Sequence, residues 1–124
     1  MSYIQVLQLI SFAFLMSGGQ VLFKKTALSI SAGLDNENSL GLIEGILKAA
    51  TIPWLYMALF TYGIATLFWL YILQRIPLTL AYPFSALAMI IVPILAIFLF
   101  GEKLNWSYWI GIIFIFIGIT IIAR

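Results

Sequence analysis

The chain contains no cysteine and no histidine. Those absences exclude disulfide frameworks, thiolate chemistry, the usual zinc sites and any Ser-His-Asp set. Charge is also scarce: six Lys and Arg against four Asp and Glu make 8% of the 124 residues. A soluble domain carries about 25% charged residues. A net charge of +2 spread over so apolar a chain is no nucleic-acid signature. There is no strand-like alternation, no low-complexity tract and no phosphate-binding loop. What is abundant is apolar sequence, at 65% hydrophobic residues and a mean hydropathy of +1.17. Soluble domains average about 45–50%, so the composition is that of an integral membrane protein. The N-terminus lacks a basic n-region and a small-residue cleavage site, and its apolar run is expected to stay as a helix.

A membrane-spanning helix needs roughly 20 apolar residues. Four stretches qualify, at about 2–31, 49–74, 77–100 and 104–123, separated by a polar loop at about 33–48. The expectation is an all-α membrane protein, a single domain over 1–124 with four transmembrane helices. The connections at Arg75 and at Gly101-Glu102-Lys103 are tight, so the last three helices must be antiparallel neighbours. Within the loop, Gly41–Lys48 puts Leu42, Ile43, Ile46 and Leu47 at helical spacing, with Glu44 and Lys48 four apart. That pattern fits a short interfacial helix with one ion pair, or a simple polar lead-in to the second span. Four helices enclose little space for a polar solute, so a dimer is expected. Gly111 and Gly118, seven apart in the last helix, would supply a stripe for close helix packing.

Ionisable groups inside hydrocarbon are costly and usually functional. The stretch GGQVLFKKTA at 18–27 is therefore a focus. Gln20 lies one helical turn before Lys24 on the same face, Met16 a turn before that, and Ser17 seven residues before Lys24. This mixture of cation, amide and hydroxyl suits an anionic group such as a phosphate. Lys25, about 100° around the helix, reads as a snorkelling anchor. Arg75 ends the second span beside Pro77 and is either an interfacial anchor or a second phosphate contact. Pro83 and Pro93 interrupt the third span and free backbone carbonyls. Tyr82 and Ser85 lie at the first break and are candidate polar lining. Trp54, Tyr56, Trp106, Tyr108 and Trp109 read as interfacial belts. Glu102 and Lys103 read as a solvated turn. None of the four apolar runs carries a carboxylate.

The segments LFWLYILQRIPLTLAYP and FGEKLNWSYWIGIIFIFIGITII resemble the small four-helix members of the drug/metabolite transporter superfamily. Within it, the chain is similar to the small subunits of the 4-amino-4-deoxy-L-arabinose-phosphoundecaprenol flippase. The shared features are Gly19, Gln20 and Lys24, then Leu73, Gln74, Ile76, Pro77, Ala81, Tyr82 and Pro83. The loop is longer and more acidic than that branch leads one to expect. Small multidrug resistance proteins are more distant, because their proton-coupling Glu corresponds to Met16 here.

The resemblance implies a small-multidrug-resistance-like fold. It also implies a flippase moving an undecaprenyl (polyprenyl)-phosphate-linked monosaccharide across the bacterial inner membrane. It implies no cofactor and no enzymatic step. Lys24, Gln20, Arg75, Tyr82 and Ser85 would bind substrate. The partners would be membrane lipids and either a second copy or a paralogous small subunit. The competing readings are an accessory subunit of a flippase or glycosyltransferase complex, and a small-molecule or cation exporter.

Overall fold

The computed structural model describes residues 2–32 and 42–124. Every regular element among them is helical. The chain starts with α1 (Tyr3–Ala32), then α2 (Leu42–Ala49) and α3 (Pro53–Leu73). It continues with α4 (Leu78–Phe84), a 3-10 turn at Ser85–Leu87, α5 (Ala88–Phe100) and α6 (Trp106–Ile122). Three helical rods are long and apolar enough to cross a membrane: Tyr3–Ile30, Pro53–Leu73 and Leu78–Phe100. The 17-residue α6 is equally apolar but shorter, about 25 Å at 1.5 Å per residue.

Local sequence accounts for the ends of these rods. Ser2 and Gln5 form a capping box: Ile4 N–H donates to Ser2 Oγ at 3.2 Å, and Ser2 N–H donates to Gln5 Oε1 at 3.0 Å. Pro53 opens α3, where a missing N–H costs nothing. Gly101 ends α5 with φ +66°, a left-handed conformation that glycine adopts without a Cβ penalty. Four hydroxyls of α1 are satisfied on the helix itself. Ser11, Ser17, Thr26 and Ser29 donate to the carbonyls of Leu7, Ala13, Leu22 and Lys25 at 2.7–2.9 Å.

Helices α1 and α3 form the main antiparallel pair. Phe12 stacks on Trp69 with centroids 4.6 Å apart, and Phe23 meets Tyr62 at 5.0 Å. Lys25 Nζ lies 4.5 Å from the Trp54 ring centroid. On α3 the buried residues Ala58, Ala65 and Ile72 recur every seven and form one stripe. The core gathers Leu9, Phe12, Ala65, Ile72, Ile76, Ala81, Phe84 and Ile119. It therefore lies toward the Arg75 turn. The opposite end, where α5 finishes and α3 begins, holds the cavities.

The polar stretch drawn at about 33–48 is helical in its second part, where α2 forms, as the short-helix reading of Gly41–Lys48 has it; residues 33–41 lie outside the described residues. The Glu44–Lys48 ion pair is not made. The two charges sit instead in the first and last turns of α2, each complementing the helix dipole.

Candidate functional site

The Gly-Gly-Gln stretch is positioned by Tyr62 of α3. A Cβ at Gly19 would collide with the edge of the Tyr62 ring, with Cδ2 at 2.6 Å, so glycine is what lets the ring in. At Gly18, by contrast, a Cβ would meet nothing within 4 Å. Seated there, the Tyr62 hydroxyl accepts a hydrogen bond from Gln20 Nε2. This orients the amide one turn below Lys24. Ser17, on the same face, is fully buried and donates to Ala13 O at 2.7 Å. Its hydroxyl is consumed by the helix rather than offered to a ligand.

Lys24 is not a lone cation. Its Nζ lies 3.6 Å from Glu102 Oε1, and the two side chains are 47% and 44% exposed. The turn at Gly101 directs Glu102 back to α1: Glu102 N–H reaches Ala96 O at 3.4 Å, and its carboxylate meets the lysine. The solvated turn expected at Glu102-Lys103 is thus half of an ion pair. Both residues line a cavity of about 360 Å³ whose other walls include Gln20, Phe23, Val92 and Ala96. Lys24 stands level with the end of α5, at the edge of the helical bundle. The neighbouring Lys25 faces away and packs on Trp54.

A second cavity of about 270 Å³ adjoins the first and shares Gln20 and Val92 with it; Ala88, Met89, Pro93 and Tyr108 complete the wall. A third of about 500 Å³ shares Met89 and Tyr108 and extends past Gly111 to Ile115. The three make one trough between α1, α5 and α6. Pro93 shapes it. Proline has no N–H, so the α-helical bond to Met89 O, four residues earlier, cannot form. The Tyr108 hydroxyl donates to that carbonyl instead, at 3.3 Å. Tyr108, expected in an interfacial belt, thereby ties α6 to the break in α5.

The other expected site residues fall elsewhere. Tyr82 is 66% exposed on α4, and Ser85 Oγ donates to the Tyr82 carbonyl at 2.6 Å, so this hydroxyl is engaged within the break after Pro83. Neither lines the trough. Arg75 Cζ sits 4.8 Å from the Tyr71 ring centroid at the opposite end of the bundle. The α1–α3 pairs place it level with about residue 6 of α1. It is then about 27 Å from Lys24 along the bundle, at 1.5 Å per residue. Lys24 and Arg75 cannot hold one phosphate together. At Gly111 and Gly118 a Cβ would meet nothing within 4 Å. No helix among the described residues packs onto that stripe.

Sequence reasoning missed Tyr62, and gave Glu102 and Tyr108 other roles. A tyrosine deep in an apolar span is a signal for Tyr62. The partners of Glu102 and Tyr108 are 78 and 19 residues away, beyond any local pattern.

The EamA-like transporter family matches residues 1–124. Among similar curated proteins is the "Probable 4-amino-4-deoxy-L-arabinose-phosphoundecaprenol flippase subunit ArnE" of Serratia proteamaculans. It is 33% identical over 109 residues, 88% of this chain and 86% of that protein. The proteins of the same name from Pseudomonas fluorescens Pf0-1 and Pectobacterium atrosepticum are 36% and 40% identical over 72 residues. These matches cover 58% of this chain and 63% and 64% of the relatives, so the chain spans less than two thirds of either. No solved structure matches. With a family match over its whole length and three apolar helices long enough to span a bilayer, the chain belongs to the EamA-like transporter family of multi-pass membrane proteins.

Proposed function

We propose that the chain is a subunit of a flippase that moves an undecaprenyl-phosphate-linked monosaccharide across the bacterial inner membrane. The observation that carries this reading is Lys24. A half-exposed ammonium stands in a mostly apolar cavity at the rim of the bundle, balanced only by a half-exposed Glu102. A phosphate arriving from the lipid phase would take the place of that carboxylate, with Gln20 in support. The names of the similar flippase subunits favour such a ligand over a drug or a metal cation. The apolar walls suit a lipid-linked head group whose polyprenyl tail never leaves the bilayer.

Arg75, at the other end of the bundle, then serves the phosphate at the opposite membrane face. Tyr82 is an exposed polar group on the way between them, with Ser85 fixing the backbone beside it. In this arrangement α6 is the fourth span. Its uncovered Gly111 and Gly118 stripe meets a second subunit, either a copy of this chain or a paralogue. Membrane lipids cover the remaining apolar surface.

The test is transport of the sugar-lipid in proteoliposomes by Lys24→Ala. The expected result is loss of transport and of undecaprenyl phosphate binding, with unchanged helicity and subunit pairing. Transport at the normal rate by this variant would refute the assignment.

A further inference from the structure

We infer that the proline break in α5 is a second subsite, in which the Met89 carbonyl accepts a hydrogen bond from the sugar of the lipid-linked substrate. The inference rests on the phosphate reading of Lys24 and extends it to the polar head beyond the phosphate. Three observations carry it.

First, the carbonyl has no α-helical donor, because residue 93 is proline. A backbone carbonyl in an apolar setting needs a partner. Tyr108 supplies one at 3.3 Å, a long bond for an O–H···O pair. A carbonyl oxygen has two lone pairs, so one direction stays available to a ligand.

Second, Met89 and Tyr108 both line the 270 Å³ and the 500 Å³ cavities, so the hydrogen-bonded pair belongs to residues shared by the two. Among the described residues the surrounding wall of the smaller cavity is apolar except for Gln20. A donor-bearing ligand would find its backbone acceptor here, with the Gln20 amide oxygen as the side-chain acceptor beside it.

Third, the subsite lies at a workable distance from Lys24. Ala96, which lines the first cavity together with Lys24, is seven residues after Met89. That is about 10 Å along α5, a length on the scale of a phosphate plus one hexose ring. Gln20 borders both cavities and bridges the two subsites.

The chemistry selects a hydrogen-bond donor, either a hydroxyl or an amine. An ammonium would gain most, because a charged donor makes the stronger bond to a carbonyl.

The experiment measures binding of three probes to the detergent-solubilised full chain. They are undecaprenyl phosphate, undecaprenyl phosphate joined to a neutral hexose, and the same lipid joined to an amino sugar. The wild type is expected to prefer the hexose form over the bare phosphate by about 2- to 10-fold, and the amino-sugar form by more, as one added hydrogen bond allows. Pro93→Ala restores an N–H that can close the helix onto Met89 O. It should bring these preferences down to about one while leaving affinity for undecaprenyl phosphate unchanged. Tyr108→Phe removes the resident donor and should keep the preference. Retention of the sugar preference by Pro93→Ala would overturn the subsite. So would its loss in Tyr108→Phe alone, which would assign the contact to the phenol. Equal wild-type affinity for all three probes would overturn it too, and would leave the phosphate reading standing. Failure of wild type to bind any probe would instead refute the phosphate reading, and the subsite with it.

Discussion

Replacing Glu102 by glutamine separates two roles that the Lys24–Glu102 pair could play. In the phosphate reading, the carboxylate occupies Lys24 while the site is empty and must let go on loading. Two unit charges about 4 Å apart attract by about 1 kcal/mol in bulk water and about 4 kcal/mol at an effective dielectric of 20. With both side chains close to half exposed, the lower figure governs. Measured exposed pairs give about 0.2–1 kcal/mol. Glu102→Gln should thus raise the affinity for undecaprenyl phosphate by about 1.4- to 5-fold, at 1.4 kcal/mol per tenfold. Relief of repulsion between Glu102 and the phosphate acts in the same direction. The gain should shrink in 1 M salt, where the Debye length is about 3 Å. Titration of the intrinsic tryptophan fluorescence with undecaprenyl phosphate, at low and high salt, reads both effects. Weaker binding by Glu102→Gln would show that the carboxylate positions Lys24 for the ligand rather than competing with it, and the reasoning would fail.

Gly19→Ala should displace the Tyr62 ring and break its bond to Gln20, destabilising the protein by about 1–3 kcal/mol as overpacking does. Thermal unfolding in detergent checks this, with Gly18→Ala as the neutral control. Gly118→Leu should weaken subunit pairing, read by cross-linking in membranes, and leave the monomer's helicity intact, because no helix of the chain meets that position among the described residues. Orientation follows from the basic residues. Lys24 stands level with the end of α5 and Lys25 with the start of α3, so they count together with Lys48 and Lys103 against Arg75 and Arg124. That end of the bundle should face the cytoplasm. The chain has no cysteine of its own. A membrane-impermeant maleimide should label Gln74→Cys in intact cells and leave Thr51→Cys untouched; the opposite pattern would reverse the orientation.

Much was fixed before any packing was considered. An apolar run of membrane length has to be helical, because hydrocarbon offers no other partner to its backbone. Ser2, Pro53 and Gly101 mark helix ends through local chemistry, and Gln20 and Lys24 share a face by arithmetic alone. Pro93 frees a carbonyl in any context. The sequence could not say what each of these groups meets. A helical pattern gives a direction around its own axis but carries no distance to another helix. Only the tertiary structure brought Glu102 to Lys24, Tyr62 into the space left by Gly19, and Tyr108 to the Met89 carbonyl. The antiparallel pairing of α1 with α3 also set the axial separation of Arg75 from Lys24. Such contacts arise from packing between elements distant in sequence. That is why the polar residues inside the spans were legible in the sequence, while their companions were decided by the fold.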